Sequence, residues 1–126
     1  MRRVLLIDDT PEIAELLTFA LRDHGYDVVA AGFTDDIGGL AAGERADALV
    51  IDCSAFEMSE SLFDDLRGRS DAHPDQAALP VVIISDTPEK VDASLRARRA
   101  ERVLLVPKPF TGSQVARALG ELLSSA

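Results

Sequence analysis

The stretch that decides the fold is Val4-Leu5-Leu6-Ile7-Asp8-Asp9, an uninterrupted apolar run that ends in two acids. Such a run, without polar alternation, is typical of a strand that is buried on both faces of a parallel sheet. Four more runs of the same kind occupy residues 28–31, 48–51, 81–84 and 103–106. Segments of helical length separate the five runs, and this alternation predicts an α/β fold with right-handed crossovers.

A clear amphipathic helix is predicted directly after the first strand. Apolar residues recur there every three or four positions between Ile13 and Leu21. Thr10 is suited to cap this helix, Pro11 fits its first position, and Gly25 is suited to end it.

Three further helices differ in how strongly the sequence supports them. The last one has an apolar face across residues 115–122 and is as clear as the first. The second, around residues 35–42, is weakened by Gly38 and Gly39. The third is expected near residues 61–67, where apolar side chains again follow helical spacing.

The remaining helix is expected to begin at Thr87-Pro88, after a polar loop over residues 70–79. Its apolar face amounts to little more than Val91 and Leu95. Because so little apolar surface would be buried, we expect this helix to open locally more easily than the others.

Composition excludes several classes of function. The 126 residues carry 13 Lys and Arg against 22 Asp and Glu, a net charge of −9, so we expect no nucleic-acid or membrane partner. One cysteine and two histidines leave no disulfide and no thiolate zinc site, and no apolar run approaches membrane-spanning length. The length and the 47% apolar fraction predict one domain, residues 1–126, in a soluble, cytoplasmic, stand-alone protein.

Polar residues follow the predicted strands at their carboxyl ends. Asp8 and Asp9 follow the first strand, Asp52 the third and Ser85 the fourth, and Lys108 comes two residues after the fifth. In a parallel α/β sheet, ligands bind beyond the carboxyl ends of the strands. The sequence therefore brings three carboxylates, one hydroxyl and one ammonium to the same rim.

The three carboxylates point to a metal site. Crowded carboxylates repel each other and need a neutralising cation. A hard divalent cation, Mg²⁺ or Mn²⁺, takes oxygen ligands of this kind and keeps several waters. We expect Asp8, Asp9 and Asp52 to contribute carboxylate oxygens and Ser54 its backbone carbonyl.

The same rim suits phosphoryl chemistry. Asp52 beside a metal ion would be a nucleophile toward a phosphoryl group and would form an acyl phosphate. Lys108 would pair with a phosphoryl oxygen, and Ser85 would hydrogen-bond to it. Asp52, Lys108 and Ser85 are thus the candidate catalytic residues.

These motifs resemble the receiver domain of bacterial two-component response regulators. The resemblance rests on Leu6-Ile7-Asp8-Asp9, Asp52, Ser85 and Lys108-Pro109-Phe110, which fall in order at four strand ends and cover essentially the whole chain. Each piece is common alone, but all four in order are highly specific. The resemblance implies a flavodoxin-like doubly wound fold, with five helices around five parallel strands in the order 2-1-3-4-5. It also implies a cis peptide bond between Lys108 and Pro109.

The resemblance further implies a role in two-component signal transduction. The chain would accept a phosphoryl group on Asp52 from a phosphohistidine of a sensor histidine kinase or of a histidine phosphotransfer protein in a phosphorelay. Phosphorylation would change the surface around the fourth helix and fifth strand for a downstream protein target, in a monomer or a phosphorylation-dependent dimer. Such a protein would catalyse its own phosphorylation and dephosphorylation without being a conventional enzyme.

Three places depart from the family's pattern. Residues 53–58 replace a loop of Met-Pro-x-x-x-Gly type, and Leu105 stands where Tyr or Phe is usual, so the family's aromatic relay is altered or absent. Asp86 and Thr87 begin the loop over the site. In the family, a small side chain usually occupies the position of Asp86. Asp86 would either repel an anionic phosphodonor or turn outward and help to cap the fourth helix.

Two rival functions stay open. A degenerate receiver would act as an interaction module without phosphorylation, as the three departures suggest. An aspartyl-phosphate hydrolase of the dehalogenase-like kind is the second rival, but that class needs Asp-x-Asp after the first strand, and Thr10 follows Asp8 at that spacing. A flavodoxin-type flavin binder is weaker still, because no phosphate loop follows the first strand.

The other notable side chains receive structural interpretations. Cys53 is interpreted as a small buried apolar residue, His24 as a helix-end residue and Phe110 as part of the core. One basic cluster is interpreted as a solvated helix end or, second, as a docking patch for an acidic partner. It comprises Arg96, Arg98, Arg99 and Arg102.

Overall fold

The computed structural model of the chain describes residues 1–68 and 77–124, and within these ranges the predicted fold is confirmed. Five parallel strands form one sheet in the order β2-β1-β3-β4-β5. The strands are β1 (Arg3–Asp8), β2 (Asp27–Ala31), β3 (Ala48–Asp52), β4 (Val81–Ser85) and β5 (Val103–Pro107). The helices are α1 (Pro11–Asp23), α2 (Ile37–Glu44), α3 (Phe56–Gly68), α4 (Pro88–Ala97) and α5 (Gly112–Ser124).

Helices cover both faces of the sheet, which is why the strands are apolar without alternation. Along β1, Val4 and Leu6 pack into a core shared with α1 and α5. Leu5 and Ile7, one residue out of phase, pack into a second core with α2, α3 and α4. In the described ranges no helix has both the length and the apolar character to cross a membrane. The predicted loop 70–79 lies outside the described residues except for its last three positions.

Helix α1 has the predicted limits, but its predicted cap is wrong in detail. Thr10 occupies the cap position without a side-chain capping bond, and its backbone N–H donates to Oδ1 of Asp8 at 2.8 Å. Pro11 takes the first helical position, as predicted. His24 ends the helix, and Gly25 follows with a φ of 91°, in the left-handed region that glycine favours.

Helices α2 and α3 correct two predicted boundaries. α2 begins and ends two residues later than predicted, because the Asp36 carboxylate accepts the N–H of Gly39 and Arg45 closes the helix with a φ of 55°. α3 begins at Phe56, so residues 56–58 are helical and the predicted loop 53–58 is shorter. Phe56 and the buried Ser59 extend the packing face of α3 toward its N-terminus.

Helix α4 begins at Pro88, as predicted, with a thin buried face. Val91 is its buried residue, while Leu95 is partly exposed. Thr87 occupies the cap position without a side-chain capping bond. Asp86 precedes that position and is exposed, so the alternative in which it turns outward is right about its orientation but wrong about the cap, which Thr87 occupies.

Helix α5 approaches α1 closely at its first residue. A Cβ atom at Gly112 would lie 2.3 Å from the Cβ of Ala20, so this crossing accepts only glycine without rearrangement. Phe110, just before α5, packs partly buried against the same core, in line with its interpretation.

Candidate functional site

The sheet topology brings the predicted site residues to one rim. Asp8 and Asp52 are register partners at the ends of the adjacent strands β1 and β3. Ser85 ends β4 and pairs with Pro107 at the end of β5. The backbone N–H of Lys108 donates to the carbonyl of Ser85 at 2.8 Å, and the peptide bond from Lys108 to Pro109 is cis.

Asp52 and Lys108 form an ion pair at the centre of the rim. The Nζ atom of Lys108 lies 3.0 Å from Oδ1 of Asp52, whose side chain is buried. Burial opposes the charge of Lys108, but the hydrogen bond and the charge of Asp52 outweigh it, and the pKa of Lys108 is raised. The ammonium is therefore held in place against this carboxylate.

Asp8 is a buried acid of the site with an oxygen left unsatisfied in the described ranges. Its Oδ1 accepts the N–H of Thr10, while its buried Oδ2 finds no hydrogen-bond donor among the described residues. Burial, with the nearby charge of Asp52, raises the pKa of Asp8 to about 7. The unpartnered oxygen marks a place where positive charge would be stabilised.

The carboxylate of Asp9 accepts hydrogen bonds from Ser54. The backbone N–H of Ser54 lies 3.0 Å from Oδ2 and 3.2 Å from Oδ1 of Asp9, and the Ser54 hydroxyl also donates to Oδ2. The hydroxyl of Thr10 donates to Oδ1 at 3.4 Å. These hydrogen bonds, first that of the Ser54 side chain, lower the pKa of Asp9. Only the carbonyl of Ser54 was predicted to take part in the site, although its hydroxyl, two residues after Asp52, was an available signal.

Ser85 and Thr87 shape the loop after β4. The Oγ of Ser85 accepts the N–H of Thr87 at 3.0 Å and lies 3.2 Å from the Thr87 hydroxyl. Asp86 between them is exposed, and its charge helps to raise the pKa of Lys108. The acid thus acts on the rim through space, with its side chain in solvent.

The remaining predicted positions lie beside the rim. Leu105 is partly buried and packs into the core shared with α4. Cys53 is buried, and burial, with the charge of Asp9 next, raises the pKa of its thiol to about 12. A thiol of that kind is unreactive at neutral pH, which agrees with the structural interpretation of Cys53.

Two of the four arginines of the basic cluster, Arg96 and Arg98, pair with acids of the chain. Arg98 donates to Asp64 on α3 and lies 3.2 Å from Glu60, whereas Arg96 pairs with Asp92 on its own helix. The acidic partners of Arg98 on α3 were not predicted, because residues far apart in the chain carry no local signal of contact.

The donor set of the rim fits a hard divalent cation. The available atoms are carboxylate oxygens, and the buried Oδ2 of Asp8 has no partner. In the arrangement of residues 1–68 and 77–124, however, no three His, Cys, Asp or Glu side chains gather as a metal cluster. Both oxygens of Asp9 accept hydrogen bonds from Ser54, and Oδ1 of Asp52 is paired with Lys108, so a cation would have to displace or share these partners.

Comparison with curated proteins finds response regulators. The chain is 38% identical over 111 residues to response regulator receiver protein Anae109_2439 of Anaeromyxobacter, covering 86% of this chain and 43% of that protein. It is 32% identical over 122 residues to the probable transcriptional regulatory protein TcrX of Mycobacterium tuberculosis, covering 95% and 49%. Protein PilH of Pseudomonas aeruginosa is 26% identical over 129 residues, covering 98% and 99%. The chain thus spans about half the length of two of these relatives.

Comparison with solved structures finds the same kind of domain, although no protein-family model matches the chain. The receiver domain of a signal transduction histidine kinase from Syntrophus aciditrophicus matches with a TM-score of 0.78 and 25% identity, covering 100% of this chain and 92% of that one. The receiver domain of sensor histidine kinase PA1611 from P. aeruginosa matches with a TM-score of 0.74 and 20% identity, covering 98% of each, and holds magnesium in its active-site cleft. With the rim described above, these likenesses establish that the chain belongs to the receiver domains of two-component response regulators.

Proposed function

We propose that the chain accepts a phosphoryl group on Asp52 and thereby switches a protein-interaction surface. The observation that carries this proposal is the ion pair between Asp52 and Lys108, 3.0 Å apart at the carboxyl rim of the sheet. A buried carboxylate at this rim is a nucleophile, and the ammonium beside it is available to the phosphoryl oxygens.

The proposed transfer conserves atoms and charge in one displacement. A carboxylate oxygen of Asp52 forms the bond to phosphorus as the phosphorus–nitrogen bond of a phosphohistidine breaks. The nitrogen keeps the electron pair, and the ring, protonated on its other nitrogen, leaves as neutral imidazole. Lys108 would move its contact from the carboxylate to a phosphoryl oxygen. Ser85 would turn its hydroxyl from Thr87 toward another phosphoryl oxygen, which couples the site to the start of α4.

Asp8, Asp9 and Asp52, with the carbonyl of Ser54, are the residues that would hold Mg²⁺ or Mn²⁺. The bound cation would supply positive charge near the phosphoryl oxygens. The unpartnered Oδ2 of Asp8 supports this assignment, as does the magnesium ion in the PA1611 receiver domain.

The partners and setting follow from this function. The phosphodonor would be a sensor histidine kinase or a histidine phosphotransfer protein in the cytoplasm, and the target a protein that recognises the changed surface. We propose that residues 1–126 act as one receiver domain. The net charge of −9 disfavours direct binding of nucleic acid by this domain.

A degenerate receiver is the second candidate, and two observations favour it. Asp9 is bonded to Ser54, and Asp86 adds negative charge close to Lys108. Such a module would keep the fold and bind a partner without phosphorylation at Asp52.

Mass spectrometry after treatment with a small phosphodonor such as phosphoramidate separates the two candidates. The proposal expects wild-type protein to gain one phosphoryl group in Mg²⁺ and none in a chelator, and Asp52→Ala to gain none while keeping its fold. Asp86→Ala is the matched control, because it removes an exposed acid near the same rim and should still be labelled. Stoichiometric labelling of Asp52→Ala would refute the assignment of Asp52, and unlabelled wild type would favour the degenerate receiver.

The labelling rate of Asp86→Ala also tests the predicted electrostatic gate. If the charge of Asp86 repels anionic donors, the variant should be labelled faster than wild type at low salt, and the difference should shrink at high salt. Equal rates at low salt would show that this exposed acid does not gate the site.

A further inference from the structure

Ser54 makes three hydrogen-bond contacts with the carboxylate of Asp9 through two donors. Its backbone N–H reaches both oxygens of Asp9, at 3.0 and 3.2 Å, and its hydroxyl donates to Oδ2. Together with the hydroxyl of Thr10 on Oδ1, these donors occupy both oxygens of the acid. The contact joins the end of β1 to the loop between β3 and α3, 45 residues away in the chain.

The hydroxyl of Ser54 is a removable part of this arrangement. Ser54 is exposed and lies before the first residue of α3, so its side chain fills no core. Rotation of its hydroxyl would leave the backbone hydrogen bond and the packing of Phe56 unchanged. The side chain thus adds a hydrogen bond to Asp9 that the fold does not require.

We propose that the Ser54 hydroxyl competes with the divalent cation for Asp9 and so lowers the affinity of the site. This inference rests on the proposed function, in which Asp9 is a metal ligand. Oδ2 of Asp9 already accepts both the N–H and the hydroxyl of Ser54, so its two lone pairs are engaged and a cation on this oxygen would displace one of these donors.

The size of the competition follows from the kind of hydrogen bond. A hydrogen bond to a charged carboxylate is about twice as strong as one between neutral groups. When the hydroxyl is removed, only water and the backbone N–H of Ser54 still compete with the cation for Asp9. Metal binding then gains part of the free energy that breaking the hydroxyl hydrogen bond had cost. We therefore expect the dissociation constant for Mg²⁺ to fall about tenfold in Ser54→Ala.

Calorimetric titration of metal-free protein with MgCl₂ tests the proposal directly, without reference to phosphorylation. Ser54→Ala should bind more tightly than wild type, and Ser54→Thr, which keeps the hydroxyl, should bind like wild type. Ser61→Ala is the matched control, because it removes an exposed hydroxyl from α3 away from Asp9 and should leave the affinity unchanged. Thermal unfolding adds a second measurement, in which Ser54→Ala should reach a given Mg²⁺-induced rise in Tm, relative to its own metal-free Tm, at about tenfold lower Mg²⁺ than wild type.

Two outcomes would overturn the proposal, and they are distinguishable. If wild type and Ser54→Ala bind Mg²⁺ equally, or Ser54→Ala binds more weakly, Ser54 does not compete, and the phosphoacceptor function stands if Asp52 is still labelled. If none of the four proteins binds Mg²⁺, the cation site of the proposed function fails together with the competition.

Discussion

Helices α4 and α5 flank the same strand, β5, yet opposite kinds of interaction hold them. α5 buries six residues, and its whole inner face is apolar. α4 buries one, Val91. It is held to α3 by two parallel hydrogen bonds from the Arg98 guanidinium to the Asp64 carboxylate, here called the fork, and by the hydrogen bond from Ser94 to Glu60. One helix is thus held by packing and the other largely by exposed polar contacts. Added salt screens ion pairs between partly exposed groups and weakens them, but it does not weaken apolar packing in this way.

The difference has a functional meaning under the proposed function. The loop that carries Ser85 and Thr87 leads directly into α4. A small change at the rim is most easily passed to the helix that has least buried surface to lose. We therefore expect α4, rather than α5, to respond when Asp52 is modified.

A matched leucine pair gives the largest expected effect. Leu119 on α5 is fully buried, whereas Leu95 on α4 is partly exposed. Leu119→Ala should lower the free energy of unfolding by about 3 kcal/mol, because it leaves a cavity between α5 and the sheet. Leu95→Ala should cost about 1 kcal/mol, because it removes less buried surface. Urea denaturation measures both, and equal losses would contradict the comparison.

Asp8, at the carboxyl end of β1, gives the next effect. Its pKa is raised from 3.8 to about 7, so the folded state binds this proton more tightly than the unfolded state does. The stability from Asp8 is therefore full below pH 3.8 and is lost as pH rises through about 7. Asp8→Asn should remove this loss and raise the free energy of unfolding at pH 8 on the order of 2 kcal/mol.

Urea denaturation of wild type and Asp8→Asn at several pH values provides the check. The gap between the two proteins should open between pH 4 and 7 and stay constant above that range. Asp47→Asn is the control, because Asp47 is an acid outside the rim and its carboxylate accepts the backbone N–H of Arg3. A gap for Asp8→Asn that is the same at every pH would show that packing, rather than charge, causes it.

The strands and the site were predictable because both depend on local sequence. An apolar run without alternation requires two covered faces, and the residue that follows each run necessarily reaches the carboxyl rim. Asp8, Asp52 and Lys108 were found in this way, and their convergence needed only the strand order. That order came from the resemblance rather than from the residues themselves.

The boundaries and the hydrogen bonds of the site were less predictable, for physical reasons. Glycine is the usual signal of a helix end, but α2 runs through Gly43 to Glu44. The capping residue that follows, Arg45, is in a left-handed conformation, where a non-glycine residue is uncommon. The contact between Ser54 and Asp9 depends on side-chain rotamers and on a separation of 45 residues. No local pattern encodes either feature.

The fork between α3 and α4 gives a smaller, salt-dependent effect. Arg98 donates from Nε at 2.7 Å and from Nη2 at 2.9 Å to the two oxygens of Asp64, about half of whose side chain is exposed. A double-mutant cycle of Arg98→Ala and Asp64→Ala should give a coupling of about 1 kcal/mol at low salt. Hydrogen exchange of the α4 amides should speed up in Arg98→Ala while that of α5 stays unchanged. Equal acceleration in both helices would mean that the fork supports the whole fold rather than α4.

The smallest expected effect comes from an ion pair within α4 itself. Arg96 donates to Asp92 at 2.8 Å across one helical turn, but their side chains are 80% and 56% exposed. Pairs of this kind stabilise a helix by about 0.3–0.5 kcal/mol, and salt removes much of that. Asp92→Ala should therefore change the free energy of unfolding by less than Arg98→Ala does, and its α4 amides should exchange nearly as in wild type. Denaturation at low and high salt measures the difference. If Asp92→Ala proved as costly as Arg98→Ala, the stability of α4 would lie in its own helical turns, and its attachment to α3 would matter less than the comparison with α5 suggests.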